Sequence, residues 1–151
     1  MIETALVQVL IVETDAGFRQ KIAHCLRLDG CTVIEGCEET SALETLRRKG
    51  VDVVLLGLHG FKTTALALLR EIKQIRPASE VILMKVSDEL ALSMEAMKLG
   101  AFDDQWAPIE METLVARVKE AHERKKRLEA RSAERRGGVW ISSVQASRDV
   151  F

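Results

Sequence analysis

The chain has 151 residues, of which 47% are hydrophobic and 30% charged, and its formal net charge is -1. This composition is typical of a soluble globular protein and excludes a disordered or strongly basic polypeptide. No apolar run approaches the roughly 20 residues that cross a bilayer, and the N-terminus lacks the pattern of a signal peptide, so we expect a cytoplasmic protein without membrane contact.

Five short apolar runs alternate with five segments in which apolar residues recur at helical spacing. The predicted strands cover Val7–Val12, Thr32–Ile34, Val51–Leu58, Val81–Met84 and Ala101–Trp106. The third run is almost purely aliphatic, which is typical of a strand buried on both faces at the centre of a parallel sheet. Strict alternation therefore predicts a doubly wound α/β domain with its ligand chemistry at the carboxyl ends of the strands.

Several polar residues and glycines mark the predicted helix ends. Asp15 follows the first strand and can cap the first helix, which Gly30 ends. Ser41 and Glu44 have the spacing of a capping box and predict the start of the second helix. These signals fix the order of the elements along the chain.

Five segments carry a resemblance to a known family, namely Val9–Val12, Val51–Leu58, Leu68–Lys73, Val81–Met84 and Gly100–Asp103. In order and spacing they resemble the receiver domain of bacterial two-component response regulators, over residues 7 to 122. The resemblance implies a flavodoxin-like fold with parallel strand order 2-1-3-4-5. It also implies phosphoryl transfer from a histidine kinase to an aspartate at the end of the third strand.

The domain organisation follows from that match. We predict an N-terminal lead at residues 1–6, the receiver-like domain at 7–122, a basic helical extension at 123–136, and a tail or truncated linker at 137–151.

Other residues stand where that family carries its chemistry. The resemblance places two Mg²⁺-binding carboxylates at Glu13 and Thr14 and the phosphoacceptor at Gly57. It places a hydroxyl residue at Lys85 and the phosphate-binding lysine at Ala107. Phosphoryl transfer depends on positioning and charge neutralisation, so losing the acceptor, one metal ligand and the lysine removes the usual mechanism. We expect a pseudo-receiver without catalytic residues, metal or cofactor.

Two alternatives stay open at this site. His59, two positions past the missing aspartate, is either an unusual phosphoacceptor or a loop residue at the rim. Lys85 either pairs with Glu13 across the vacated pocket or extends into solvent. The chain has no glycine-rich dinucleotide or Walker motif and no serine at a strand-to-helix elbow, so the sequence does not support an enzyme.

The C-terminal part of the chain is basic. The segment from Arg117 to Arg136 contains nine basic residues and four acidic ones. The last helix is predicted to continue through it as a charged rod until Gly137-Gly138 breaks it. A seven-residue rhythm runs through Leu114, Val118, Ala121, Lys125 and Leu128. It fits either a homodimer through the C-terminal helix or a solvated extension. Nucleic acid is not the expected partner, because no aromatic residues are interleaved with the basic ones.

The resemblance implies protein contact through the fourth helix, the fifth strand and the fifth helix. The candidate contact residues are Met94, Met97, Lys98, Asp104, Trp106, Met111 and Val115, although the methionines could instead belong to the core. We predict a non-catalytic signalling module that binds a protein partner without needing phosphorylation.

Overall fold

The computed structural model describes residues 6–57, 65–85, 90–106 and 108–148, except for the side chains of residues 85, 90–92, 106 and 136–148. Within these ranges strands and helices alternate strictly. The elements are β1 (Gln8–Val12), α1 (Ala16–Leu28), β2 (Thr32–Gly36), α2 (Glu39–Arg48), β3 (Val53–Gly57), α3 (Ala65–Ile75), β4 (Glu80–Lys85), α4 (Leu90–Lys98), β5 (Asp103–Trp106) and α5 (Met111–Arg148). Among the residues described, no helix combines the length and apolarity that a membrane span needs.

The strands form one parallel sheet in the order β2-β1-β3-β4-β5. Every residue of β3 is buried, as its aliphatic composition predicts for a central strand. This order is that of a flavodoxin-like domain, so the predicted fold class is confirmed. β5 begins two residues later than predicted, at Asp103, because Ala101 and Phe102 still belong to the connection from α4.

Alternating residues of each strand belong to two separate hydrophobic cores, one on each face of the sheet. In β1, Leu10 and Val12 face the core covered by α2, α3 and α4, while Val9 and Ile11 face the core covered by α1 and α5. A period of two residues puts successive side chains on opposite faces of a sheet, so helices must cover both sides.

The first helix begins and ends as the sequence predicts. Asp15 is the N-cap of α1, and its Oδ1 accepts a hydrogen bond from the backbone N of Phe18 at 2.9 Å. Gly30 follows the helix with φ of +95°, a conformation that a residue with a Cβ rarely adopts.

The predicted capping box of α2 is wrong. The helix begins at Glu39, two residues before Ser41, and Glu38 is the N-cap without a side-chain hydrogen bond. The Ser41 hydroxyl instead donates to the carbonyl of Glu38 at 3.2 Å. Glu39 puts a negative charge in the first turn, which is favourable to the helix dipole and permits the earlier start.

The predicted break at Gly137-Gly138 is also wrong, since α5 is one helix from Met111 to Arg148. Each glycine in a helix interior costs only about 1 kcal/mol relative to alanine and keeps its backbone N–H, whereas proline would remove it. The predicted extension and most of the predicted tail are therefore parts of one helix.

The seven-residue rhythm of α5 serves its own domain. Leu114, Val118 and Ala121 are at most 1% exposed and pack in the core beside α1. Lys125 pairs with Asp52, which leaves only Leu128 exposed. The coiled-coil alternative is therefore wrong for Leu114 and Val118, because a helix that covers a sheet shows nearly the same spacing of apolar residues as a coiled coil.

Candidate functional site

The carboxyl edge of the sheet brings three strand ends together. β3 ends at Gly57, which pairs in register with Met84 of β4. On the other side, Glu13 follows β1, and its backbone N donates to the carbonyl of Gly36 at the end of β2 at 3.0 Å. In a parallel sheet of this type, ligands bind in the crevice at this edge.

Glu13 lies inside this crevice. Its side chain is only 4% exposed, and its Oε2 accepts a hydrogen bond from the backbone N of Asp15 at 2.9 Å. Its backbone carbonyl accepts a hydrogen bond from Arg19 Nη1 at 2.8 Å. Hydrogen bonds therefore hold both the side-chain carboxylate and the backbone carbonyl of Glu13.

The Glu13 carboxylate occupies the space beside Gly57. A Cβ added to Gly57 would lie 2.9 Å from the carboxyl carbon of Glu13, and Oε1 would be closer still. Real Cβ atoms do not approach other heavy atoms this closely, so any side chain at position 57 requires Glu13 to move. Position 57 thus lacks an acceptor side chain, and a buried carboxylate takes the place where one would begin.

The other predicted site residues are spread around this carboxylate or lie outside the described part of the chain. Thr14 is exposed directly after Glu13. Lys85 ends β4 in register with Trp106, but its side chain is outside the described residues, so its pairing with Glu13 stays a prediction. His59 and Ala107 are outside them as well. Among the described residues no group of three acidic, histidine or cysteine side chains could hold a metal ion.

Sequence reasoning missed the residue that braces Glu13. Arg19 not only donates to the Glu13 carbonyl but also pairs through Nε with Glu35 Oε1 at 3.2 Å. Glu35 pairs in turn with Arg27 at 3.2 Å. The spacing of Arg19 and Arg27 along α1 is the only sequence signal for this brace, and it is no more specific than that of two exposed basic residues.

The predicted contact face on α4, β5 and α5 is largely accessible. Met94 and Met97 are 54% and 39% exposed, so the alternative that they are core residues is wrong. Lys98 is exposed as well. Asp104, Met111 and Val115 are half-buried, and the side chain of Trp106 is outside the described residues.

An ionic cluster, also missed from sequence, lies at the opposite, amino edge of the sheet. We call Asp52, Lys73, Glu80, Arg124 and Lys125 the amino-edge cluster. Arg124 Nε lies 3.1 Å from Glu80 Oε2, which has no hydrogen bond, and Lys73 Nζ lies 4.0 Å from Glu80 Oε1. Lys125 Nζ lies 3.1 Å from Asp52 Oδ1. These contacts tie the fourth and fifth turns of α5 to the starts of β3 and β4.

Burial sets the electrostatics of this cluster. It raises the pKa of Glu80, against the opposing effect of Arg124 and Lys73. It lowers the pKa of Lys73. It would also lower the pKa of Lys125, but hydrogen bonds to Glu129 and Asp52 outweigh burial and raise it. The cluster therefore contains charges whose desolvation is only partly offset by their partners.

Comparison with known families decides what kind of domain this is. The model of the response regulator receiver domain matches residues 9–119. The chain belongs to this family. Receiver domains are parts of two-component signalling, and the match covers every element from β1 to the first turns of α5.

Individual receiver-containing proteins agree with this assignment. A putative NtrX-like response regulator of Rickettsia bellii is 32% identical over 121 residues, which are 79% of this chain and 25% of that protein. The DNA-binding transcriptional regulator NtrC of Escherichia coli K12 is 34% identical over 115 residues, which are 75% and 24%. The chain spans about a quarter of the length of these relatives.

Solved structures agree as well. A receiver domain protein of Clostridium thermocellum superposes with a TM-score of 0.75 at 30% identity, over 82% of this chain and 99% of that one.

Proposed function

We propose that this receiver domain is a phosphorylation-independent signalling module, held in one state and acting through contact with a protein partner. The observation that carries the proposal is the Glu13 carboxylate beside Gly57, at the position where the family resemblance places the phosphoacceptor. The residue that would receive the phosphoryl group has no side chain, and the adjacent volume is filled.

Charge supports the same conclusion. The family resemblance places a Mg²⁺-binding carboxylate at Glu13, but Thr14 supplies no second one to help hold a neutralising metal ion. Without that metal ion, the buried Glu13 carboxylate would repel a phosphoryl group in this crevice, because like charges repel strongly where the effective dielectric constant is low. Moving Glu13 aside would also break its hydrogen bond to the Asp15 backbone, and hydrogen bonds to charged groups contribute about 1.5–3 kcal/mol. Entry of phosphate is therefore disfavoured twice.

The predicted contact face supports the part of the proposal that concerns binding of a protein partner. Met94 and Met97 present exposed thioether side chains on α4, beside the exposed Lys98. Methionine is flexible and polarizable, and it is over-used on surfaces that bind partners. A face of this composition can bind a protein without any change at the crevice.

Phosphorylation is the first test. The full chain is incubated with Mg²⁺ and radiolabelled acetyl phosphate, next to a receiver domain that has an acceptor aspartate as positive control. We expect no transfer of label to this chain. Labelling would refute the proposal, and its loss in His59→Ala or in Glu13→Gln would assign the unusual acceptor.

Tryptophan fluorescence gives an independent readout. A Trp140→Phe variant leaves Trp106, at the end of β5, as the only tryptophan. Mg²⁺ with beryllofluoride, which mimics a phosphoryl group, should leave its emission unchanged. A saturable change in this variant that is absent from Trp106→Phe would show that the crevice still binds the mimic.

Partner binding tests the output. Proteins retained from a cytoplasmic extract by the full chain should be lost when Met94 and Met97 are changed to glutamate. Leu6→Glu is the matched control, because Leu6 is 61% exposed but lies before β1, outside the contact face. Equal retention by both variants would remove the contact face from the proposal.

A further inference from the structure

The outer surface between α1 and α5 forms an apolar groove of about 470 Å³, which we call the α1–α5 groove. Cys25 and Leu28 of α1 line one wall, and Met111, Val115 and Ala116 of α5 line the other. Leu28 is 75% exposed, the largest exposure among the large apolar side chains described. One face of the domain therefore carries both a protruding leucine and an apolar recess beside it.

Two opposite charges lie on the helices that form this groove, Glu112 in its lining and Lys21 one turn before Cys25 on α1. Lys21 lies four residues before Cys25 and seven before Leu28, so the three share one flank of α1. Glu112 lies on the flank of α5 that carries Ala116. Lys21 and Glu112 are both exposed, and within the described residues neither forms an ion pair.

An ion pair fixes the levels of the two helices. Lys119 Nζ lies 2.8 Å from Asp29 Oδ2, just after the end of α1. Both helices run from the carboxyl edge of the sheet to its amino edge, so they are close to parallel. Glu112 lies seven residues before Lys119 on α5, and Lys21 lies eight residues before Asp29 on α1. The two side chains are therefore at nearly the same height along the pair of helices.

We propose that the α1–α5 groove binds a second copy of this chain, related by a two-fold axis that runs along the two helices. This symmetry places α1 of each copy against α5 of the other. Leu28 then enters the opposite groove near Val115 and Ala116, while Lys21 meets Glu112 of the second copy. A two-fold contact must be self-complementary, and this face supplies a protruding leucine, the groove that can accept it, and two opposite charges. The inference does not depend on how the carboxyl edge functions.

The first test is sedimentation equilibrium of the full chain between low and high micromolar concentration. We expect a reversible dimer, and Leu28→Glu should weaken it by at least about 100-fold, because each dimer buries two leucine side chains and the variant replaces both with charges. Met94→Glu is the matched control: Met94 is 54% exposed but lies on α4, on the other side of the sheet from the groove. It should leave the dimer unchanged.

Charge reversal tests the register of the contact. Lys21→Glu and Glu112→Lys should each weaken the dimer by about tenfold, since two exposed pairs are lost and replaced by like charges. The double variant should recover dimerisation to within about threefold of the original chain. Recovery is specific to the pairing of these two residues, because a general charge effect would not be reversed by the second change.

Three results would overturn the proposal. A chain that is monomeric at high micromolar concentration has no such interface. A dimer that survives Leu28→Glu but is lost in Met94→Glu uses the α4 side instead. A monomer whose groove is occupied only by a different protein, with binding lost in Leu28→Glu, assigns the surface to that partner. Because Leu28 is exposed, circular dichroism and the thermal midpoint should be unchanged in the variant, which separates loss of contact from loss of fold.

Discussion

The contact between Glu13 and position 57 predicts a strong energetic coupling between the two residues. In Gly57→Ala the new Cβ would lie 2.9 Å from the Glu13 carboxyl carbon, whereas carbon atoms prefer separations of about 3.5–4.0 Å. Either the carboxylate moves and loses its hydrogen bond to the Asp15 backbone, or the strand shifts. Overpacking of a filled site typically costs about 1–3 kcal/mol.

The backbone gives a smaller effect of opposite sign. Gly57 is an extended strand residue, so alanine adopts its conformation without strain and reduces the entropy of the unfolded chain, worth about 0.4–1 kcal/mol. We expect Gly57→Ala to destabilise the protein by about 1–2 kcal/mol net. In a Glu13→Ala background the obstacle is absent, and the same change should be neutral or slightly stabilising. The coupling free energy should therefore be about 2 kcal/mol.

Urea unfolding of the four proteins in this cycle measures the coupling. A loss of 1–2 kcal/mol shifts the midpoint by roughly 0.5–1 M for a domain of this size. Gly36→Ala is the control, because its added Cβ would lie 3.6 Å from the nearest atom, the Ile11 carbonyl, which is an ordinary contact. A coupling below about 0.5 kcal/mol would show that the Glu13 carboxylate does not fill the position beside Gly57 in solution.

Further predictions concern the crevice and the amino-edge cluster. Gly57→Asp alone should not restore transfer of phosphate from acetyl phosphate, because the positions for the second metal carboxylate and the phosphate-binding lysine still lack charge; labelling of this single variant would contradict that reasoning. If Lys85 and Glu13 form a buried pair, Lys85→Met should cost about 3–5 kcal/mol in urea unfolding, against about 0–1 kcal/mol for an exposed lysine, and Glu13→Gln closes the cycle. Burial raises the pKa of Glu80 above its ordinary 4.5. The folded state then holds the extra proton, so this group's contribution to the free energy of unfolding falls as pH rises from 4.5 through the raised pKa. In Glu80→Gln the free energy of unfolding, measured across that pH range, should lose this part of its pH dependence. An unchanged pH dependence would assign it to other groups.

The sheet could be predicted from sequence because each of its signals is local. The aliphatic run that becomes β3 requires burial on both faces, and the glycine at position 57 cannot be a phosphoacceptor in any conformation. The family resemblance rests on the same local runs, which is why the strand order is as predicted and the strand boundaries agree to within two residues.

The parts that could not be predicted depend on contacts between distant residues. Glu13 and Gly57 are 44 residues apart, and only the fold shows that the carboxylate turns into the crevice rather than towards solvent. Lys125 and Asp52 are 73 residues apart, so the basic run of α5 gave no sign that it would pair with the amino edge of the sheet. Periodicity alone also failed to separate a helix that packs on its own domain from one that pairs with another helix.

The amino-edge cluster gives α5 a mechanical property. Beyond Lys125 the helix continues for 23 residues to Arg148, which at about 1.5 Å per residue is a lever of about 35 Å. Ion pairs with Asp52 and Glu80 hold this helix to the sheet edge opposite the Glu13 crevice, and Leu128, Glu129 and Ser132 still lie beside Pro77 and Ala78. A tilt of about 10° at these ion pairs would move the far end of the helix by about 6 Å.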